Sequence, residues 1–149
     1  MRNAGQAVLR EPTTVSDMRE TDYYAVLVNW LRGMGWSAKS QVPMIDRVID
    51  VAAVTDVEEV WAIEVKMTDW RRGLRQAQLY LLGADKAFLA VPVRIVDRIA
   101  ESLAESCSDG IGLLSLNPGE EPAVVVPAQI SSLTVSRLRE RIRSAIKTE

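Results

Sequence analysis

Arg47-Val-Ile-Asp-Val-Ala-Ala-Val54 and Val60-Trp-Ala-Ile-Glu-Val-Lys66, separated by Thr55-Asp-Val-Glu-Glu59, are the stretch on which the reading of this chain turns. Two runs rich in β-branched residues joined by so short a polar segment form a β-hairpin. Side chains alternate along a strand, so Val48, Asp50, Ala52 and Val54 are expected on one face, and Ala62, Glu64 and Lys66 likewise on the next strand. A hairpin symmetric about Val57 pairs Asp50 with Glu64 and Val48 with Lys66, so two carboxylates and an amine converge.

Opposed carboxylates on neighbouring strands repel unless something lies between them. A divalent cation is the simplest such partner, because Mg²⁺ binds through one or two carboxylates while keeping waters and accepting phosphate oxygens. A water held this way becomes nucleophilic at neutral pH, and Lys66 is placed to stabilise developing negative charge. A solvated cross-strand ion pair is the simpler alternative. Against it, Ala52, Val54 and Ala62 share the acids' expected face, and Ile63 and Val65 make the opposite face apolar. Asp46 is a competing acid, read as a turn residue.

Working outward, Tyr24, Leu27, Leu31 and Met34 recur at the helical period, with Asp17 as cap, Glu20 three residues on as in a capping box, and Gly33 and Gly35 as the stop. A strand from Ser37 to Val42 ends at Pro43. After the hairpin come a helix from Asp69 or Trp70 to Leu82, a strand from Lys86 to Val91 ended by Pro92, and a helix from Val93 to Ser106. Strands at Gly112 to Leu116 and Ala123 to Val126 and a last helix from Ser132 to Lys147 complete the order. This is an α/β chain: a mixed sheet built αβββαβ and flanked by helices, with an αββα extension. Residues 1–15 read as a flexible arm and residues 16–149 as one domain.

The 149 residues include no histidine and one cysteine, Cys107, which excludes Ser-His-Asp and Cys-His catalysis and zinc sites built from histidine or four thiolates. The single cysteine fits a reducing cytoplasm and is read as an apolar filler; no run is long and apolar enough for a signal peptide or a membrane span. Eighteen basic against 20 acidic residues give no global basic footprint. Locally, five basic residues (Lys66, Arg71, Arg72, Arg75, Lys86) face three acids between Glu64 and Lys86, and the last helix carries Arg137, Arg139, Arg141, Arg143 and Lys147. Positive charge is thus segregated toward the site and the C-terminus, as a phosphate-binding surface requires.

Asp50 followed by Glu64-Val65-Lys66, behind a first helix and ahead of Trp70-Arg-Arg-Gly-Leu-Arg-Gln-Ala-Gln-Leu-Tyr80, resembles the PD-(D/E)XK nuclease superfamily of restriction-endonuclease-like fold. The likeness is nearest to its small RecB-like and archaeal Holliday-junction-resolvase-like members, and covers about Asp17 to Pro92. It implies that Asp50 and Glu64 ligate Mg²⁺ or Mn²⁺, that Val65 offers its carbonyl, that Lys66 is the catalytic lysine, and that Glu20 is a first-helix carboxylate near the metal. Gln76 and Tyr80 match the Gln-x-x-x-Tyr pair of the RecB-like group, Gln76 among the catalytic residues and Tyr80, with Arg71, Arg72 and Arg75, on the nucleic-acid side. Ile49 stands where the superfamily's name has proline. Trp61 and Trp70 are read as packing residues.

The expected function is metal-dependent hydrolysis of DNA. The alternative is a nuclease-fold module of little turnover that binds DNA or a larger partner such as a helicase, methylase or repair complex. A homodimer through the apolar segment Val124 to Ile130 or the last helix is compatible with the sequence, which carries no positive signal for it.

Overall fold

The β-branched runs form the expected hairpin, and its register is the one that symmetry about Val57 requires: Val51 pairs with Ile63, Ala52 with Ala62, Ala53 with Trp61 and Val54 with Val60. Around it, a computed structural model describes residues 18–106 and 110–148. The elements are α1 (Glu20–Gly33), β1 (Ser37–Met44), β2 (Arg47–Val54), β3 (Val60–Val65), α2 (Trp70–Tyr80), β4 (Lys86–Pro92), α3 (Val93–Ser106), β5 (Gly112–Leu116), β6 (Ala123–Val126) and α4 (Ser136–Lys147). The expected arm at residues 1–15, the Asp17 cap and Cys107 lie outside the described residues.

Six strands form one mixed sheet in chain order, β1 to β6. The β1–β2, β2–β3 and β5–β6 pairs are antiparallel, whereas β3–β4 and β4–β5 are parallel, their crossovers carrying α2 and α3. Helix α1 covers one face, where Tyr23, Leu27 and Leu31 meet Val51, Ala53, Ile63, Val65 and Phe88. The other face packs Ala52, Val54, Ala62 and Leu89 against Ala77 and Tyr80 of α2, Val96 and Ile99 of α3, and Ile142 and Ile146 of α4. A sheet covered on both faces explains why its central strands read as continuous apolar runs. Among the described residues no helix is long and apolar enough to cross a membrane.

Proline ends β4 as expected, but not β1. Pro43 lies within β1, paired with Val48, because β1 is a sheet edge where a missing N–H costs no ladder bond; Pro92 closes β4 opposite Leu116. Helix α4 starts at Ser136, not Ser132. In α1 the buried stripe is Tyr23, Leu27, Val28 and Leu31, while Met34, expected on that stripe, is the exposed C-cap. Trp61 packs edge-on to Trp36 and against Phe88, as expected of a packing residue.

The C-terminal basic residues have a different task from the one their clustering suggested. Arg139 bonds Asp85, and Arg143 and Lys147 both bond the Glu58 carboxylate in the β2–β3 turn. These cations clamp α4 to the end of β3 where Val60 begins, whereas Glu64 and Lys66 lie at the opposite end. Arg137 and Arg141 remain on the exposed face of α4.

Candidate carboxylate site at the end of the β2–β3 hairpin

The expected common face of Val48, Asp50, Ala52 and Val54 does not persist through Asp50. Ala52 and Val54 face the α2–α4 layer, but so does Ile49, while Val48 is half exposed to solvent. Strand β1 shows the same inversion: Ala38 faces α1, whereas Val42 and Met44 face the other layer. The β1–β2 ladder omits one position, Gln41 opposite Asp50. On the other side of β2, the ladder to β3 stops at Val51 with Ile63. Asp50 therefore sits where the sheet opens.

Its carboxylate occupies that opening. Val65 donates its backbone N–H to Asp50 Oδ2 at 2.8 Å, and the Tyr24 hydroxyl donates to Oδ1 at 2.8 Å. Glu64, on the same strand face as Ala62, lies under α2 and is 6% exposed. The Tyr80 hydroxyl donates to its Oε1 and also lies 3.2 Å from the Val48 carbonyl. Lys66 places Nζ 3.8 Å from Glu64 Oε2 with its side chain partly open to solvent.

Burial pushes the Glu64 carboxyl up to about 7, and the neighbouring Asp50 charge adds to the shift, while the Tyr80 hydrogen bond and the Lys66 charge oppose it. Burial, followed by the adjacent carboxylates, also raises the Tyr80 hydroxyl, and burial with the Asp50 hydrogen bond raises that of Tyr24. Both phenols stay protonated and act as donors. The one Tyr80 proton has two acceptors in reach, so protonated Glu64 can give its own proton to the Tyr80 oxygen while Tyr80 turns to Val48.

Glu20 approaches from α1 one helical turn before Tyr24, and its Oε2 accepts the Met67 N–H at 3.1 Å. Its expected capping role is taken by Asp22, whose Oδ2 accepts the Arg19 N–H at 2.8 Å. Glu20 is thus a site-facing residue that tethers the segment after Lys66. It does not join the two acids in a set of three: among the described residues no group of three or more His, Cys, Asp and Glu stands together to hold a metal. What the structure does bring together is an oxygen-only pair, Asp50 and Glu64. The Val65 carbonyl lies on the strand edge facing Asp50, since N–H and C=O of one strand residue point the same way. Hard oxygen donors and a buried, undercompensated carboxylate suit Mg²⁺, which needs only one or two protein carboxylates.

The remaining expected site residues divide. Tyr80 is 1% exposed and bonded to Glu64, so it supports the carboxylate instead of facing nucleic acid; aromatic rings this buried cannot stack on a base. Gln76 accepts from Arg47 at 3.0 Å and makes no bond to the carboxylates. Arg71, Arg72 and Arg75 are exposed on α2, with Arg71 over the Trp70 ring at 4.4 Å. Asp46 is an exposed turn residue, as the sequence predicts. Two residues escaped the sequence reading. Tyr24 falls within the helical period of the apolar stripe, yet its spacing of four from Glu20 places both on one helix flank. Gly73 is buried in α2 where a Cβ would stand 2.5 Å from Lys66 Cγ, so it lets the lysine stem pass beneath the helix. A groove of about 590 Å³ also runs between α1 and β1, lined by Tyr24, Asn29, Arg32, Lys39 and Ser40 and by no carboxylate.

No protein family and no curated protein matches the chain. Among solved structures it is similar to the SPO1766 protein of unknown function from Silicibacter pomeroyi, with a TM-score of 0.64 and 22% identity over 87% of this chain and 85% of that one. This likeness is one of fold: a mixed α/β sheet flanked by helices.

Proposed function

We propose that this chain is a metal-dependent nuclease of restriction-endonuclease-like fold acting on DNA, with Asp50 and Glu64 as its metal-holding pair. The observation that carries the reading is the convergence of a buried Glu64, a tethered Asp50 and the Lys66 ammonium at one opened sheet end. A salt bridge on a solvated sheet face would need none of this burial.

Asp50 and Glu64, with the Val65 carbonyl, would hold the ion. Mg²⁺ there supplies a water of lowered pKa and charge for a phosphate oxygen. Tyr24 fixes the direction of Asp50, and Tyr80 that of Glu64, so neither carboxylate has to reorganise. Lys66, threaded past Gly73 with its Nζ 3.8 Å from Glu64, would supply the cation that neutralises charge developing on the phosphate. Glu20 holds the Met67 amide and so steadies the Lys66 backbone from the far side. Arg71, Arg72 and Arg75 at the start of α2 offer exposed cations for DNA phosphates.

The reading requires that the wild-type chain nick or cleave DNA with Mg²⁺ or Mn²⁺. Glu64→Ala and Lys66→Ala abolish this without unfolding the chain, and cleavage that persists in EDTA or in both variants would overturn it. The near-even balance of 18 basic against 20 acidic residues favours one further reading, a module of the same fold that binds DNA or a larger DNA-processing partner with little turnover. DNA binding without cleavage would select it.

A further inference from the structure

Four described residues other than glycine have a left-handed backbone: Gln41, Ile45, Glu58 and Asp69. Ile45 and Glu58 lie in the β1–β2 and β2–β3 turns, and Asp69 is the N-cap of α2, all three outside the strands. Gln41, with φ of 55°, is the one inside a strand. Its side chain is exposed, so packing of that side chain does not account for the strained backbone.

Three observations meet at this residue. Gln41 stands opposite Asp50 in register, and this is the one position that the β1–β2 ladder omits. On either side of it both strands exchange faces: Ala38 and Val51 look toward α1, Val42 and Ile49 toward the opposite layer. The main-chain pairing of β2 with β3 also ends just before Asp50, whose carboxylate takes the Val65 N–H. An unbroken alternation would give Val48 and Asp50 the same face as Ala52 and point the Asp50 side chain away from the plane of the sheet.

We infer that Gln41 is a positioning residue: its left-handed backbone turns the tip of the β1–β2 hairpin over and thereby aims the Asp50 carboxylate along the sheet, at the Val65 amide and the metal position. The metal position in this inference rests on the function proposed above; the Asp50 to Val65 bond does not. Gln41 acts through its backbone, so residues that tolerate the left-handed region replace it and branched residues do not.

The test compares Gln41→Gly and Gln41→Asn with Gln41→Val in the full chain, reading the Val65 amide resonance by NMR and Mn²⁺ binding by calorimetry. The Gly and Asn variants keep the Val65 resonance and the wild-type Mn²⁺ affinity. The Val variant shifts the resonance and loses about tenfold in affinity, the scale for groups that orient metal ligands, while circular dichroism shows it folded. Should Gln41→Val not fold, Gln41→Thr carries the comparison, since it is branched at Cβ like valine and polar enough for this exposed position. A Val or Thr variant with an unmoved Val65 resonance overturns the inference, and so does a Gly variant that moves it as Val does. If the wild type binds no Mn²⁺, the metal reading falls, while the Val65 resonance still decides the role of Gln41.

Discussion

The Asp50 carboxylate accepts the Val65 amide at 2.8 Å just past the last backbone pair of β2 and β3, so a side chain continues the sheet where its main chain parts. That one bond explains how an acid can sit between apolar strands: its Oδ2 meets a backbone donor and its Oδ1 a phenol. Asp50→Ala leaves the Val65 N–H and the Tyr24 hydroxyl without their acceptor and is expected to cost about 1–3 kcal/mol. Asp50→Asn, which keeps one acceptor oxygen, costs less. Urea unfolding of the two variants measures the difference.

Glu64 gives the chain a pH dependence opposite to that of a salt-bridged acid. Its folded value of about 7 exceeds the ordinary 4.5, so between these values the native state holds a proton that the unfolded chain has released. The metal-free protein is therefore most stable, as far as this group goes, below about pH 4.5 and loses about 3 kcal/mol as pH rises from there through 7. Glu64→Gln removes that slope. Thermal unfolding from pH 4.5 to 8, in wild type and variant, checks it; equal slopes would contradict the assignment.

Tyr80→Phe removes the hydrogen bond that opposes the raised Glu64 carboxyl, so the Glu64 titration moves further up. Any metal-dependent activity should then turn on at higher pH than in wild type, because a metal ligand must be deprotonated. A pH profile with an unchanged midpoint would show that Tyr80 does not act on Glu64.

Gly73→Ala is a discriminating change because alanine is the better helix former by about 1 kcal/mol in an exposed helix interior. Here the added Cβ stands 2.5 Å from Lys66 Cγ and 2.8 Å from Leu89 Cδ1, so the lysine stem must shift. If the chain is the nuclease proposed above, cleavage should fall by roughly 10²-fold, the scale of a misplaced catalytic group, with Mn²⁺ affinity retained. A variant as active as wild type would mean that the position of Lys66 is not critical.

Ile45 has φ of 58° at an exposed turn, a conformation that a β-branched residue adopts only at a cost. Ile45→Gly should raise stability by about 1 kcal/mol and leave the site untouched. A higher Tm with unchanged metal binding is the expected result.

The hairpin, its register and the element order were legible because β-branched composition and period-2 alternation act locally. The same local rule failed at Asp50, where alternation breaks: nothing in Gln41 as a residue type announces a left-handed backbone, and the inversion exists only in the pairing of two strands. Glu20 could be read as a cap or as a site residue; because Arg19 and not Asp17 is the N-cap, the third helical position that caps falls to Asp22, and Glu20 is left to face the site. Pro43 was misread because whether a proline ends a strand depends on whether that strand is an edge. Charge was the least legible feature, since Arg143 and Lys147 look like a phosphate surface until Glu58, more than 80 residues earlier, is seen to bind them.

Calorimetric titration of Mn²⁺ and Mg²⁺ into the folded wild type and Glu64→Gln at pH 8 tests the central claim that Asp50 and Glu64 hold one divalent ion. The wild type is expected to bind a single ion at millimolar concentration or better, with the affinity falling as pH drops through about 7, and Glu64→Gln to lose the site. No binding by the wild type, or binding that Glu64→Gln leaves intact, would contradict it.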